Sequence, residues 1–200
     1  RRAEERLAET GPVQYVELAE GGDIETWLAD FLRLEASGWK GQEGTALSSN
    51  EVDRDFFLAV TKAAFRRRRL MMLALHVGGR PVAQLCNFLA ADGAFAFKVA
   101  YDAALARFSP GVLLELEGVR RMHARPAIHW MDSCSPRGPS LTKNLWMDRR
   151  IIQTMLIETG RAPGPLVHAA LPLLRWLRRL VRACVRRPRV SKGEAPGERS

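Results

Sequence analysis

From Phe95 to Asp102 large and small side chains alternate. Phe95, Phe97, Val99 and Tyr101 take one face and Ala96, Lys98, Ala100 and Asp102 the other, the period of a half-buried strand. Ser109-Pro110-Gly111 follows, offering in turn a capping residue, a residue suited to the first helical position and a residue without Cβ. Val112, Leu113, Leu116, Val119 and Arg120 then recur at helical spacing, with Glu115 and Glu117 on the wetter side. A strand feeding a helix through a glycine-bearing turn leaves backbone N–H groups and the positive end of the helix dipole facing the loop. That is a ready-made anion site or an ordinary strand-to-helix connection, and these residues alone leave both readings open.

The rest of the chain organises around this unit. Residues 1–12 read as a charged, Ala-rich lead-in, a helix or a frayed segment. Val13 to Leu18 alternates like a strand. Asp23 caps a helix from Ile24 to Ser37 whose apolar face is Ile24, Trp27, Leu28, Phe31, Leu32 and Leu34. The glycine-rich GWKGQEGTALSS has no period and reads as a loop. Asn50 or Ser49 caps a second helix, Glu51 to about Arg69, with Phe56, Phe57, Val60, Ala63 and Ala64 inward. Leu70 to Val77, Gly78-Gly79 and Arg80 to Ala90 form a hairpin, and Asp92-Gly93 turns a second hairpin into the Phe95 strand. Arg125-Pro126 breaks the following helix. Ala127 to Asp132 reads as a strand, Leu141 to Met147 as a short helix and Arg149 to Thr159 as a last strand.

Charge changes this picture less than its total suggests. The formal net charge of the 200 residues is +9. Residues 165–200 hold nine Lys or Arg against two Glu, so seven of those nine charges belong to the tail. A nearly neutral body argues against specific nucleic-acid binding. In the tail, Leu173, Leu177, Leu180, Val181 and Cys184 line up among arginines. That is a basic amphipathic helix fit for an anionic membrane surface over 173–187, or for packing on protein. Residues 161–188 thus read as linker and basic helix, and 189–200 as a disordered tail. Cys86, Cys134 and Cys184, odd in number and far apart, suggest reduced thiols and a cytoplasmic setting. Nothing in the spacing of His and Cys residues suggests a metal site. The opening RRAEERLAET lacks Met and a secretory pattern, which reads as part of a longer protein or a trimmed one.

The order strand, two helices, three antiparallel strands, helix, strand, short helix, strand resembles the GNAT acyltransferase fold. It is an α+β (three-layer α/β) architecture with a mixed, mostly antiparallel sheet flanked by helices, here over residues 13–160. The phrases FLRLEASGWKGQEGTAL, GAFAFKVAYDAALARFSPGVLLELEGVRRMH and IHWMDSCSP resemble the CelD/BcsL-like acetyltransferases associated with cellulose biosynthesis. The resemblance implies that Val99, Ala100 and Tyr101 pair their backbone with the pantetheine arm of acetyl-CoA or another acyl-CoA. It implies that the loop from Arg107 through Phe108 and Ser109 to Gly111, with Val112, holds the pyrophosphate. The strands of Phe95 and Ile128 would splay to admit the thioester. A preceding domain is implied by the family resemblance alone. Against the family's Q/R-x-x-G-x-G/A loop, Ser109 stands at the first Gly, Ala106 at the Q/R and Arg107 one place off. The donor stays open between acetyl-CoA and another acyl carrier.

Acyl transfer to an amine or hydroxyl needs a base for the acceptor and an acid for the leaving thiolate. Many GNAT enzymes use a Tyr after the short helix as that acid. Here NLWMDRR offers Trp146 instead. Asp132 at a strand end and Glu35 before the glycine-rich loop are the candidate catalytic bases; the plainer roles are a loop cap and a solvated helix residue. Trp39 and Lys40 in that loop, and Lys98 on the strand, are candidate contacts to the acceptor, a small molecule or saccharide. Lys98 has Asp102 as its alternative partner. Two other functions share the fold: aminoacyl-tRNA-dependent transfer of the peptidoglycan-bridging type, and a non-catalytic partner-binding domain in an exopolysaccharide machine.

Overall fold

The computed structural model describes residues 2–38, 41 and 43–135, and the single residues 146, 148, 151, 170, 172, 173, 176 and 177. Trp39, Lys40, the elements expected over 141–147 and 149–159, and most of the basic helix lie outside them. The chain divides into two compact units, Arg1–Arg149 and Arg150–Ser200. In the second unit Leu173, Trp176 and Leu177 are exposed. No helix among the described residues is long and apolar enough to cross a membrane.

In chain order the first unit contains α1 (Arg2–Ala8), β1 (Val13–Glu17), α2 (Ile24–Ala36), a 3-10 turn (Leu47–Ser49), α3 (Glu51–Arg66), β2 (Leu70–Val77), β3 (Arg80–Ala90), β4 (Gly93–Tyr101), a 3-10 stretch (Ala103–Phe108), α4 (Pro110–His123) and β5 (Trp130–Asp132). The strands lie side by side in the order β1-β2-β3-β4-β5. All pairs are antiparallel except β4 with β5. Side chains from α1 and α4 fill one face around Leu73, Leu75 and Leu85. Those of α2 and α3 fill the other around Met72 and Cys86. This is the α+β layer arrangement the sequence predicts.

Local signals account for much of it. Asp23 accepts the Glu25 and Thr26 N–H groups at 3.1 and 3.2 Å and so starts α2 where expected. Gly78 and Gly79 both sit at positive φ, the conformation a two-residue hairpin turn requires. Four readings change. The lead-in is a helix whose Leu7 is fully buried in the α4-side core, so residues before Val13 belong to the packed unit. The second hairpin loop is Ala91-Asp92, because Gly93 already pairs with Ala90. On α3, Phe57 and Thr61 face inward while Phe56 is exposed.

The fourth change is on α4, where the inward face is rotated from the one expected. Leu113, Leu114, Glu117, Gly118 and Met122 are buried, while Leu116 and Arg120 are not. A buried carboxylate needs partners. Arg121 donates to Glu117 Oε1 at 2.9 Å and to Glu17 Oε2 at 3.0 Å, and Arg120 and Arg125 pair with Glu117 and Glu17 respectively. This network ties α4 to β1 across the sheet.

Candidate active site

Two features of β4 shape the site. The first is a bulge. Cys86 pairs with Lys98 and Asn87 with Ala96, so Phe97 has no partner on β3. One extra residue inverts the alternation beyond it. Phe97 is therefore directed to the α3 side, stacked on Phe57 with ring centroids 6.0 Å apart and edge-on to Phe88 at 5.4 Å. Lys98 and Ala100 share that face, while Val99 and Tyr101 turn to the α4 side. The uninterrupted alternation of Phe95, Phe97, Val99 and Tyr101 is thus corrected.

The second feature is the shortness of β5. β4 and β5 pair only at Gly93–Trp130, Ala94–Met131 and Phe95–Asp132. Beyond Phe95 the edge of β4, from Ala96 to Tyr101, has no strand partner among the described residues. A cavity of about 170 Å³ opens there, lined by Leu85, Ala96, Phe97, Lys98, Val99, Glu115, Ser133 and Ser135.

The turn into α4 lies at the far end of that edge. What reads as a loop after β4 is a 3-10 stretch capped by Asp102, whose Oδ1 accepts the Ala104 N–H at 3.0 Å. Lys98 pairs not with Asp102 but with Glu35. Ser109 does stand before α4, but with φ +52 and without a side-chain cap. Its carbonyl accepts the Val112 and Leu113 N–H groups at 3.0 and 3.1 Å, and its own N–H goes to Ala106 O at 2.9 Å. Among the described residues no backbone carbonyl accepts the Gly111 N–H.

Gly111 owes its missing Cβ to packing rather than to an open approach. A Cβ there would stand 3.1 Å from Tyr101 Cδ1 and 3.3 Å from Val99 Cγ1, so the start of α4 lies directly on β4. Phe108 is core, and its ring carries the Arg107 guanidinium at 4.7 Å and the Arg6 guanidinium, from α1, at 5.6 Å. Two cations therefore flank the turn.

On the other face of the sheet two candidates meet. Lys98 forms an ion pair with Glu35, whose side chain is only 2% exposed, and Glu35 Oε2 accepts the Leu47 N–H at 2.9 Å. Glu35 is not a solvated helix residue; it fastens α2, β4 and the segment before α3 to one another. Asp132 is half-buried, and its Oδ1 accepts the Cys134 N–H at 2.7 Å, the loop-capping role. The Cys134 thiol is pushed up by burial and then by Asp132, which disfavours a thiolate nucleophile. Among the described residues no three potential metal ligands gather.

Sequence reasoning missed Glu115. It stands one turn after Gly111 and one before Gly118, the two glycines that let α4 approach Val99, Tyr101 and Leu85. The spacing Gly111, Glu115, Gly118 was the available signal. Trp146 Nε1 donates to Glu115 Oε1 at 3.0 Å. Burial raises the Glu115 carboxyl above its ordinary value, and the Trp146 bond only partly offsets this.

The profile of the acetyltransferase (GNAT) domain matches residues 1–137, more than half of the chain. The chain belongs to the GNAT acetyltransferase domain family. Solved structures carry the same fold. A possible acetyltransferase from Clostridium difficile 630 superposes with a TM-score of 0.50 at 18% identity, over 72% of this chain and 98% of its own. An aminoglycoside acetyltransferase from an uncultured soil metagenomic sample, in complex with sisomicin, gives 0.51 at 10% identity, over 72% and 95%. Among curated proteins none matches. GNAT acetyltransferases use acetyl-CoA.

Proposed function

We propose that this GNAT domain transfers an acetyl or other acyl group from acyl-CoA directly to an amine or hydroxyl acceptor. The observation that carries the reading is the β4 edge beyond Phe95, which has no strand partner among the described residues, with a cavity beside it. On this reading the backbone of Val99, Ala100 and Tyr101 meets the amides of the pantetheine arm. The segment Arg107–Val112 takes the pyrophosphate, with the Gly111 N–H as a donor and Arg6 and Arg107 as countercharges. The thioester lies in the cavity, where positioning lowers the barrier. Asp132, at the β5 side of the slot, is the base for the acceptor. Glu35 and Lys98 shape the wall opposite, and Trp39 and Lys40 contact the acceptor.

The CelD/BcsL-like resemblance supports a finer version, with a saccharide acceptor in exopolysaccharide or cellulose biosynthesis. Titration calorimetry of CoA and dephospho-CoA into the full chain tests the donor. CoA should bind, and Gly111→Val should weaken it tenfold or more, about 1.4 kcal/mol, by pushing α4 off β4. Folded protein that binds neither ligand would sink the reading.

A further inference from the structure

We propose that Glu115 is the proton donor to the departing CoA thiol, an inference that rests on the acyl-CoA reading above. Among the described residues that line the cavity, Glu115 is the only carboxylate. It reaches that cavity from α4, on the side of the sheet to which Val99 and Tyr101 turn, while the candidate base Asp132 belongs to β5. Acyl transfer uses both a proton donor and a proton acceptor; here the donor on α4 lines the cavity, and the candidate base on β5 adjoins Ser133, which lines it too. The sequence offers no tyrosine after β5 for the task. Trp146, which stands in that region, donates its indole N–H to Glu115 Oε1 and so orients the carboxyl.

The environment of Glu115 favours its protonated form. Burial is the dominant influence and favours the neutral acid. The charged groups near it on neighbouring elements are already engaged. The Lys98 ammonium, from β4, is held by Glu35, and the Asp132 carboxylate, at the end of β5, accepts the Cys134 N–H. Ser133 and Ser135 add neutral polar groups to the same wall. Glu117, two residues on, turns to its arginines.

The step balances. The acceptor nitrogen or oxygen forms a bond to the thioester carbonyl carbon, and the C–S bond breaks with its electron pair going to sulfur. The sulfur takes the proton of Glu115, and the proton lost by the acceptor passes through the base and solvent to restore the acid.

The test uses the full chain, wild type and Glu115→Gln, with acetyl-CoA as donor and hydroxylamine as a small acceptor. The glutamine keeps the size of the side chain and an oxygen for Trp146, so the fold should hold; equal melting temperatures check this. Calorimetric affinity for acetyl-CoA should be unchanged. Release of free thiol should fall about a hundredfold. The wild-type rate should decline as pH rises through the Glu115 value, which burial raises, because the protonated form is active; the variant should lack that limb. Equal rates and equal pH profiles in the two proteins would overturn the proposal. So would bound acetyl-CoA with no thiol release from the wild type. Failure of the wild type to bind acetyl-CoA at all would instead remove the acyl-CoA reading beneath it.

Discussion

Replacing Lys98 with methionine removes the ammonium and keeps most of the aliphatic stem. Glu35 is then left 2% exposed, with the Leu47 N–H as a remaining hydrogen-bond donor. Breaking a buried pair by removing one partner costs about 3–5 kcal/mol. The Lys98 side chain is 25% exposed, so the site is not fully dry, and the lower end, about 3 kcal/mol, applies. For a chain of this size that is a fall of about 6–12 °C in melting temperature. Glu35→Gln should cost less, about 1–2 kcal/mol, because the amide oxygen still accepts the Leu47 N–H and Lys98 reaches solvent. The double variant should cost less than the two singles together, by about 1–3 kcal/mol. Urea unfolding followed by circular dichroism measures all three. A Lys98→Met variant within about 0.5 kcal/mol of wild type, or strictly additive singles, would show a surface bridge of little consequence and refute the argument. On the proposal that Asp132 is the base, Glu35→Gln should also keep its turnover per folded molecule.

Four further outcomes are expected. Gly93→Ala would place a Cβ 2.2 Å from Trp130 Cζ2, at the first rung joining β4 to β5; it should cost about 1–3 kcal/mol by denaturation and weaken CoA binding through the slot. Burial pushes the Cys86 thiol up to about 12, so between pH 9 and pH 12 the unfolded chain ionises it first. Stability should then fall by about 1.4 kcal/mol per pH unit as pH rises, a slope that Cys86→Ala reduces in pH-dependent unfolding. Trp39→Ala should raise the acceptor KM more than the acetyl-CoA KM; lost thermal stability with unchanged kinetics would make Trp39 a core residue. Leu173→Asp with Leu177→Asp in the full chain should abolish co-sedimentation with anionic vesicles, and equal sedimentation would remove the proposed membrane contact over 173–187.

What the sequence determines by itself is local. The Asp23 cap, the Gly78-Gly79 hairpin, the Pro110 helix start and the ranges of β2 and β3 follow from interactions within a few residues, and their order is enough to reach the GNAT fold. What the tertiary structure decided depends on residues far apart in the chain. The bulge at Phe97 comes from the register with Cys86 and Asn87, which no period within β4 discloses, and it reassigns every side chain beyond it. Lys98 and Glu35 were each candidates, yet their pairing spans 63 residues. Glu117 looked solvated until Arg121, Glu17 and β1 surrounded it. Gly111 looked like an opening for a ligand and is a contact between α4 and β4. Glu115 looked wet for the same reason that Glu117 did: helical spacing tells which residues share a face, and only the packing of α4 on the sheet tells which face is buried.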